Sequence, residues 1–106
     1  MAWEIVFTDA AVNDLRRGKI TKAEFAAIKE ALTRIAEHYD PRWDYACQPI
    51  AQTGREWTRL KITKPSHLRL AFSTSDDPPT ITVQAVLRRT AKTYDLCELV
   101  WKKATA

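Results

Sequence analysis

Residues 57–94 read WTRLKITKPSHLRLAFSTSDDPPTITVQAVLRRTAKTY, three alternating segments separated by two turn-like breaks. In a β-strand, successive side chains point to opposite faces, and residues two apart share one. On that rule Leu60 and Ile62 lie opposite Arg59 and Lys61. Likewise Leu68, Leu70 and Phe72 lie opposite Arg69, and Ile81, Val83, Ala85 and Leu87 lie opposite Arg88. Each segment has one apolar side and one side bearing a cation. The breaks at Lys64-Pro65-Ser66 and Ser75-Asp76-Asp77-Pro78-Pro79 are short enough for antiparallel hairpins. Pairing the segments is expected to gather the four cations on a single, solvent-facing side of the sheet, the candidate active site.

The apolar side needs a cover, and the preceding residues provide one. Trp3, Ile5 and Phe7 alternate and predict a first strand. Asp9 is the expected N-cap of a short helix carrying Val12 and Leu15, with Gly18 at its end. Thr21-Lys22-Ala23-Glu24 fits the capping box, in which the Thr hydroxyl and the Glu carboxylate each satisfy the other's backbone N–H. The helix that starts there places Phe25, Ile28, Leu32, Ile35 and Tyr39 on one face, and Asp40-Pro41 stops it. Residues 41–55 lack periodicity and read as a loop. Its Trp43 and Tyr45 are expected to seal the edge of the core, with base stacking as the competing role. After Tyr94, the tail has Leu96, Leu99, Val100 and Trp101 near helical spacing, although an extra strand fits as well. The expected fold is α+β: two N-terminal helices on one face of a mainly antiparallel twisted sheet, in the order β-α-α-β-β-β plus a C-terminal tail.

Composition bounds the class. The 106 residues, 45% of them hydrophobic, suit one domain with its own core. No apolar run approaches the roughly 20 residues that span a bilayer, so a cytoplasmic protein without a membrane partner is expected. Cys47 and Cys97 stand far apart with no Cys or His at ligand spacing, which predicts free thiols and no metal site. The net charge of +4 is unevenly placed. Residues 1–56 hold 8 Lys/Arg against 9 Asp/Glu, a balance of −1, whereas residues 57–106 hold 9 against 4, a balance of +5. The excess therefore sits on the sheet segments, where it would favour a polyanion or an acidic protein.

Taken in order, FTDAAVNDLRR, WTRLKI, HLRLAF and ITVQAVLRR resemble the RelE/ParE superfamily of small bacterial toxins, and within it the RelE-type messenger-RNA interferases. The resemblance spans nearly the whole chain. It implies a helical pair on a twisted antiparallel sheet, and an endoribonuclease that cuts messenger RNA in the ribosomal A site with no metal or other cofactor. It also implies a cognate antitoxin, and hence a toxin–antitoxin hetero-oligomer. The basic pair of the family's second strand falls on Arg59 and Lys61, and the arginine of the third strand on Arg69. The arginine ending the fourth strand falls on Arg88, and the tyrosine shortly after it on Tyr94. Arg59 departs from the lysine found in the family, and a guanidinium that stays protonated suits phosphate binding better than proton transfer. No clear match to the Glu and His pair of the YoeB-type relatives is present.

The implied reaction deprotonates a 2′-hydroxyl, stabilises negative charge at phosphorus and protonates the departing 5′-oxygen. It leaves a 2′,3′-cyclic phosphate and a 5′-hydroxyl. Arg69 and Arg88 suit the phosphate, because a guanidinium offers paired donors. Lys61 suits proton transfer, since an amine can lose its proton, and Tyr94 suits stacking or proton exchange. Lys64, His67, Arg89 and Lys92 are the candidate substrate contacts. Two readings from other classes remain open: a ParE-like gyrase inhibitor without chemistry of its own, and an inactive interaction module.

Overall fold

The computed structural model describes residues 3–50 and 57–88. The tail beyond them lies outside the described residues. Five strands form one mixed sheet: β1 (Glu4–Phe7), β2 (Cys47–Pro49), β3 (Thr58–Ile62), β4 (Leu68–Asp76) and β5 (Pro79–Arg88), in the order β1-β5-β4-β3-β2. β1 runs parallel to β5, and the other pairings are antiparallel. The helices are α1 (Asp9–Arg17) and α2 (Lys22–Ala36), followed by a 3₁₀ turn at Pro41–Trp43. The α+β architecture, the helical pair and the three C-terminal strands match the expectation.

The core lies between α2 and one sheet face. Ile28, Leu32 and Ile35 of α2 meet Leu60, Leu68, Leu70, Phe72, Ile81 and Val83. Leu60 and Leu70 are cross-strand partners, as are Ile62 and Leu68, so each pair presents two aliphatic side chains to the helix. Side chains of this size each contribute about 1.5–3 kcal/mol when fully buried. Tyr39, expected on this face, is 85% exposed, because α2 ends at Ala36 before the apolar stripe reaches it.

Local rules placed most helix ends. The capping box forms as expected: Glu24 N donates to Thr21 Oγ1 at 3.1 Å, and Thr21 N donates to Glu24 Oε1 at 3.0 Å. The cap of α1 is one residue earlier than expected. Thr8 fills it, its Oγ1 accepting from Ala11 N at 3.1 Å, and Asp9 sits instead in the first turn. Past Gly18, the left-handed backbone falls on Lys19, at φ 50°.

Three expectations about the sheet need correction. The stretch read as a loop contains β2, which Cys47, Gln48 and Pro49 form against Leu60, Arg59 and Thr58. A three-residue edge strand is too short to show a period. Second, β5 carries a bulge. Ala85 pairs with Ala71 but Val83 pairs with Phe72, which leaves Gln84 as an extra residue. One inserted residue reverses the parity of everything after it, so Val86 and Arg88 turn to the helical face while Ala85 and Leu87 turn away. Third, the side opposite the helices is not bare. Ile50, Trp57, Ala71 and Ala85 form a second buried cluster there, with Leu87 packed against it.

Glu24 links these parts. Besides closing its own cap, this buried carboxylate accepts from Ser66 Oγ and from both terminal nitrogens of Arg88, Nη2 reaching Oε1 at 2.7 Å. Arg88 also donates from Nε to Gly18 O at 2.8 Å and from Nη2 to Lys19 O at 3.1 Å, so the end of β5 is tied to the turn between α1 and α2. The Arg88 hydrogen bonds, followed by those from Ser66 and Thr21 N, hold the Glu24 carboxyl far below its ordinary value of 4.5.

A carboxyl depressed in the folded state stabilises the fold fully above its unfolded pKa, and that contribution is lost as pH falls toward the folded value. Glu24→Gln is therefore expected to be less stable than the parent at pH 7, with the gap narrowing steadily below about pH 4.5; urea titrations of both proteins across that range measure it. In the core, Leu70→Ala is expected to cost about 2–5 kcal/mol, whereas Val6→Ala at an exposed position should fall within about 0.5 kcal/mol, as read from the urea midpoints.

Candidate functional site

β3 and β4 bring three of the predicted cations to the side opposite the helices. Lys61 and Arg69 are direct cross-strand partners, and Arg59 lies two residues from Lys61, opposite Ala71. Directly paired positions place Cβ atoms roughly 4.5–5.5 Å apart, where like charges repel. The fold thus concentrates positive charge that a bound anion would relieve.

The three cations are held differently. Arg69 is buried, at 6% exposure, and its Nη1 donates to Leu68 O at 3.0 Å. Arg59 is half-buried, and its Nη2 donates to Gln48 Oε1 on β2. Its Nε is buried and makes no hydrogen bond among the described residues. A buried donor left without an acceptor is costly, about 1–3 kcal/mol, and a phosphate oxygen is the kind of group that removes that cost. Lys61 is exposed, with its backbone N bonded to Ala46 O at 2.9 Å.

Arg88 does not join them. The bulge at Gln84 turns its side chain to the helical face, where Glu24, Gly18 and Lys19 bind all three guanidinium nitrogens. The expected four-cation face is therefore a three-cation face. Lys64 and His67 are exposed in the connection between β3 and β4. Tyr94, Arg89 and Lys92 lie outside the described residues.

Two regions escaped the sequence patterns. Trp43 and Tyr45 do not seal the core: they are 67% and 87% exposed, and Trp43 instead faces Tyr39 with ring centroids 5.6 Å apart. Beneath them Asp44 is buried and accepts from Arg34 Nε at 3.0 Å, Arg34 Nη2 at 3.2 Å and Ala46 N at 2.9 Å, with His38 Nε2 at 3.0 Å. Burial opposes its charge, but Arg34, the Ala46 N–H and His38 outweigh it and hold the carboxyl below its usual range. The Arg34 partnership was invisible to helical periodicity, which tracks apolar residues.

Other chemistry is poorly served. Burial pushes the Cys47 thiol up to about 12, so it stays protonated at neutral pH and makes a poor nucleophile. A cleft of about 770 Å³ between the end of α2 and the β4–β5 hairpin is lined by Glu37, Asp40 and Asp76 beside Arg42, a charge of the wrong sign for RNA. Among the described residues, no group of three or more His, Cys, Asp or Glu side chains is placed to hold a metal ion, and no helix is long and apolar enough to cross a membrane.

No family model matches the sequence, and no curated protein matches it by sequence. Solved structures do match. A doubly substituted mutant of the Escherichia coli toxin RelE in the free state superposes with a TM-score of 0.70 at 19% identity, covering 99% of this chain and 96% of the other. The RelBE2 toxin–antitoxin complex from Mycobacterium tuberculosis gives 0.61 at 19% identity, covering 84% of this chain and 100% of the other. With two helices against a five-stranded mixed sheet among its described residues, this chain has the fold of the RelE toxin.

Proposed function

We propose that this protein is the toxin of a toxin–antitoxin system, a cytoplasmic, metal-independent endoribonuclease that cleaves messenger RNA at the ribosomal A site and is neutralised by a cognate antitoxin. The observation that carries the reading is the Arg59–Lys61–Arg69 face, where two cations are paired directly and a buried Arg59 N–H has no acceptor among the described residues. The RelE-like fold and the likeness to a toxin–antitoxin complex agree with it. In this scheme the scissile phosphate lies on Arg59 and Arg69, whose fixed guanidinium groups stabilise the charge that builds on phosphorus. Lys61, the exposed amine beside them, transfers the proton. Tyr94 is assigned a base-stacking or proton-exchange role. Arg88 is assigned to positioning: clamped on Glu24, it sets where the chain leaves β5. Lys64, His67, Arg89 and Lys92 are assigned to the substrate backbone.

The diversion of Arg88 and the burial of Arg69 favour one second reading, a ParE-like gyrase inhibitor that binds its target and performs no chemistry. Expression in bacteria separates the two: cut transcripts and an abrupt loss of translation support the nuclease, and an SOS response with filamentous cells supports the inhibitor. With purified protein on programmed ribosomes, Lys61→Ala is expected to slow cleavage about 10²–10⁴-fold, the usual contribution of a proton-transfer group. Arg69→Ala should also slow it, with partial recovery in Arg69→Lys. Unchanged rates in both alanine variants would overturn the assignment.

A further inference from the structure

What holds an arginine determines how much of its charge is left for a ligand. Arg34, Arg42 and Arg88 are each fixed by a carboxylate, from Asp44, Asp40 and Glu24 respectively. Such an ion pair orients the guanidinium and cancels its charge. Arg59 is held otherwise. Its Nη2 donates to Oε1 of Gln48, its Cα partner on β2, and it enters no ion pair among the described residues. An amide oxygen fixes the planar donor fork and leaves the full positive charge in place.

Gln48 is anchored by its surroundings. Backbone bonds two residues to either side, Ile50 N to Trp57 O and Lys61 N to Ala46 O, both 2.9 Å, fix the β2–β3 register around the Gln48–Arg59 pair. Ile50 shares the face of Gln48 by strand alternation and is buried with Trp57 in the second cluster, so the end of β2 is tied to the side of the sheet that carries the cations. Because a guanidinium only donates, the Gln48 oxygen must face Arg59, and its NH₂ group points elsewhere. The buried Nε of Arg59 makes no hydrogen bond among the described residues, so the held guanidinium keeps a donor for an incoming oxygen. Lys61, a compact ammonium on a flexible stem, needs no such orientation.

We propose that Gln48 is the positioning residue of the cation face: its amide oxygen orients the Arg59 guanidinium for a phosphate without discharging it. This role rests on the reading of that face as a phosphate site given above. A carboxylate at this position would do to Arg59 what Glu24 does to Arg88. An apolar side chain of the same length would leave the charge and release the fork.

Phosphate binding is measured apart from cleavage, by fluorescence anisotropy of the full chain with a fluorescein-labelled 2′-O-methyl oligouridylate, which lacks the attacking hydroxyl, across a salt series. Gln48→Glu is expected to bind at least about tenfold more weakly, with the slope of log affinity against log salt shallower by about 0.7, the loss of one phosphate contact on a single strand. Gln48→Met should weaken binding about three- to tenfold with the slope unchanged. In an Arg59→Ala background Gln48→Met should alter affinity less than about twofold, because the side chain acts only through Arg59. Circular dichroism checks that each variant is folded, and Gln48→Glu, isosteric and at an exposed site, keeps the test decisive if Gln48→Met is not. Binding like the parent's by either single Gln48 variant overturns the proposal, as does a parent that binds no oligonucleotide. Equal weakening by Gln48→Met with and without Arg59 also overturns it, giving the contact to Gln48 itself. On programmed ribosomes, a protein that shows the full binding pattern yet cuts no transcript supports the role of Gln48 and refutes the nuclease. One that cuts transcripts while Gln48→Met leaves binding and rate unchanged refutes the role and keeps the nuclease.

Discussion

One extra residue in β5 decides how this sheet is used. A strand alternates with period two, so every insertion exchanges the faces of all residues that follow. Before Gln84, Ile81 and Val83 face the helices; after it, Val86 and Arg88 do, and Ala85 and Leu87 join the second cluster on the far side. The same strand therefore supports both apolar clusters. Gln84 itself donates from Nε2 to Ser73 Oγ at 3.1 Å, which gives the inserted side chain a partner on β4.

The reversal creates a demand that the helices meet. An arginine delivered to the helical face must be neutralised, and Glu24 is in place because the capping box has already fixed its carboxylate at the start of α2. What begins as a cap joining residues three apart becomes a junction between segments 64 positions apart. Near this junction, β1 stops at the Phe7–Val83 pair, and Asp14 Oδ2 of α1 accepts from Val86 N at 2.9 Å. The helix side chain supplies the acceptor that a longer β1 would have provided, satisfying a backbone donor at the edge of the sheet.

Removing Arg88 leaves a smaller but better-defined cation face. Arg59, Lys61 and Arg69 are set by alternate β3–β4 pairs, so their spacing follows from backbone register rather than from loop geometry. Rigid placement of this kind lets fixed positive groups act on developing charge without reorganisation.

Features governed by near neighbours in the chain were legible in the sequence. The alternation of residues 57–76, the Thr21–Glu24 cap, the apolar face of α2 through Ile35 and the shared parity of Arg59, Lys61 and Arg69 all follow from local backbone geometry, and with them the α+β class. Tertiary structure decided the rest. The bulge at Gln84 arises from fitting β5 against β4, and β2 exists because β3 offers an edge for three residues to pair with. Tyr39, Trp43 and Tyr45 are exposed because α2 ends early and the following turn is anchored by buried Pro41 and Asp44. Arg88 left the cation face for Glu24 because a buried carboxylate requires a charged partner wherever the fold can bring one. Local rules act over a few residues, whereas parity across a bulge and the choice of an ion-pair partner depend on contacts between distant segments.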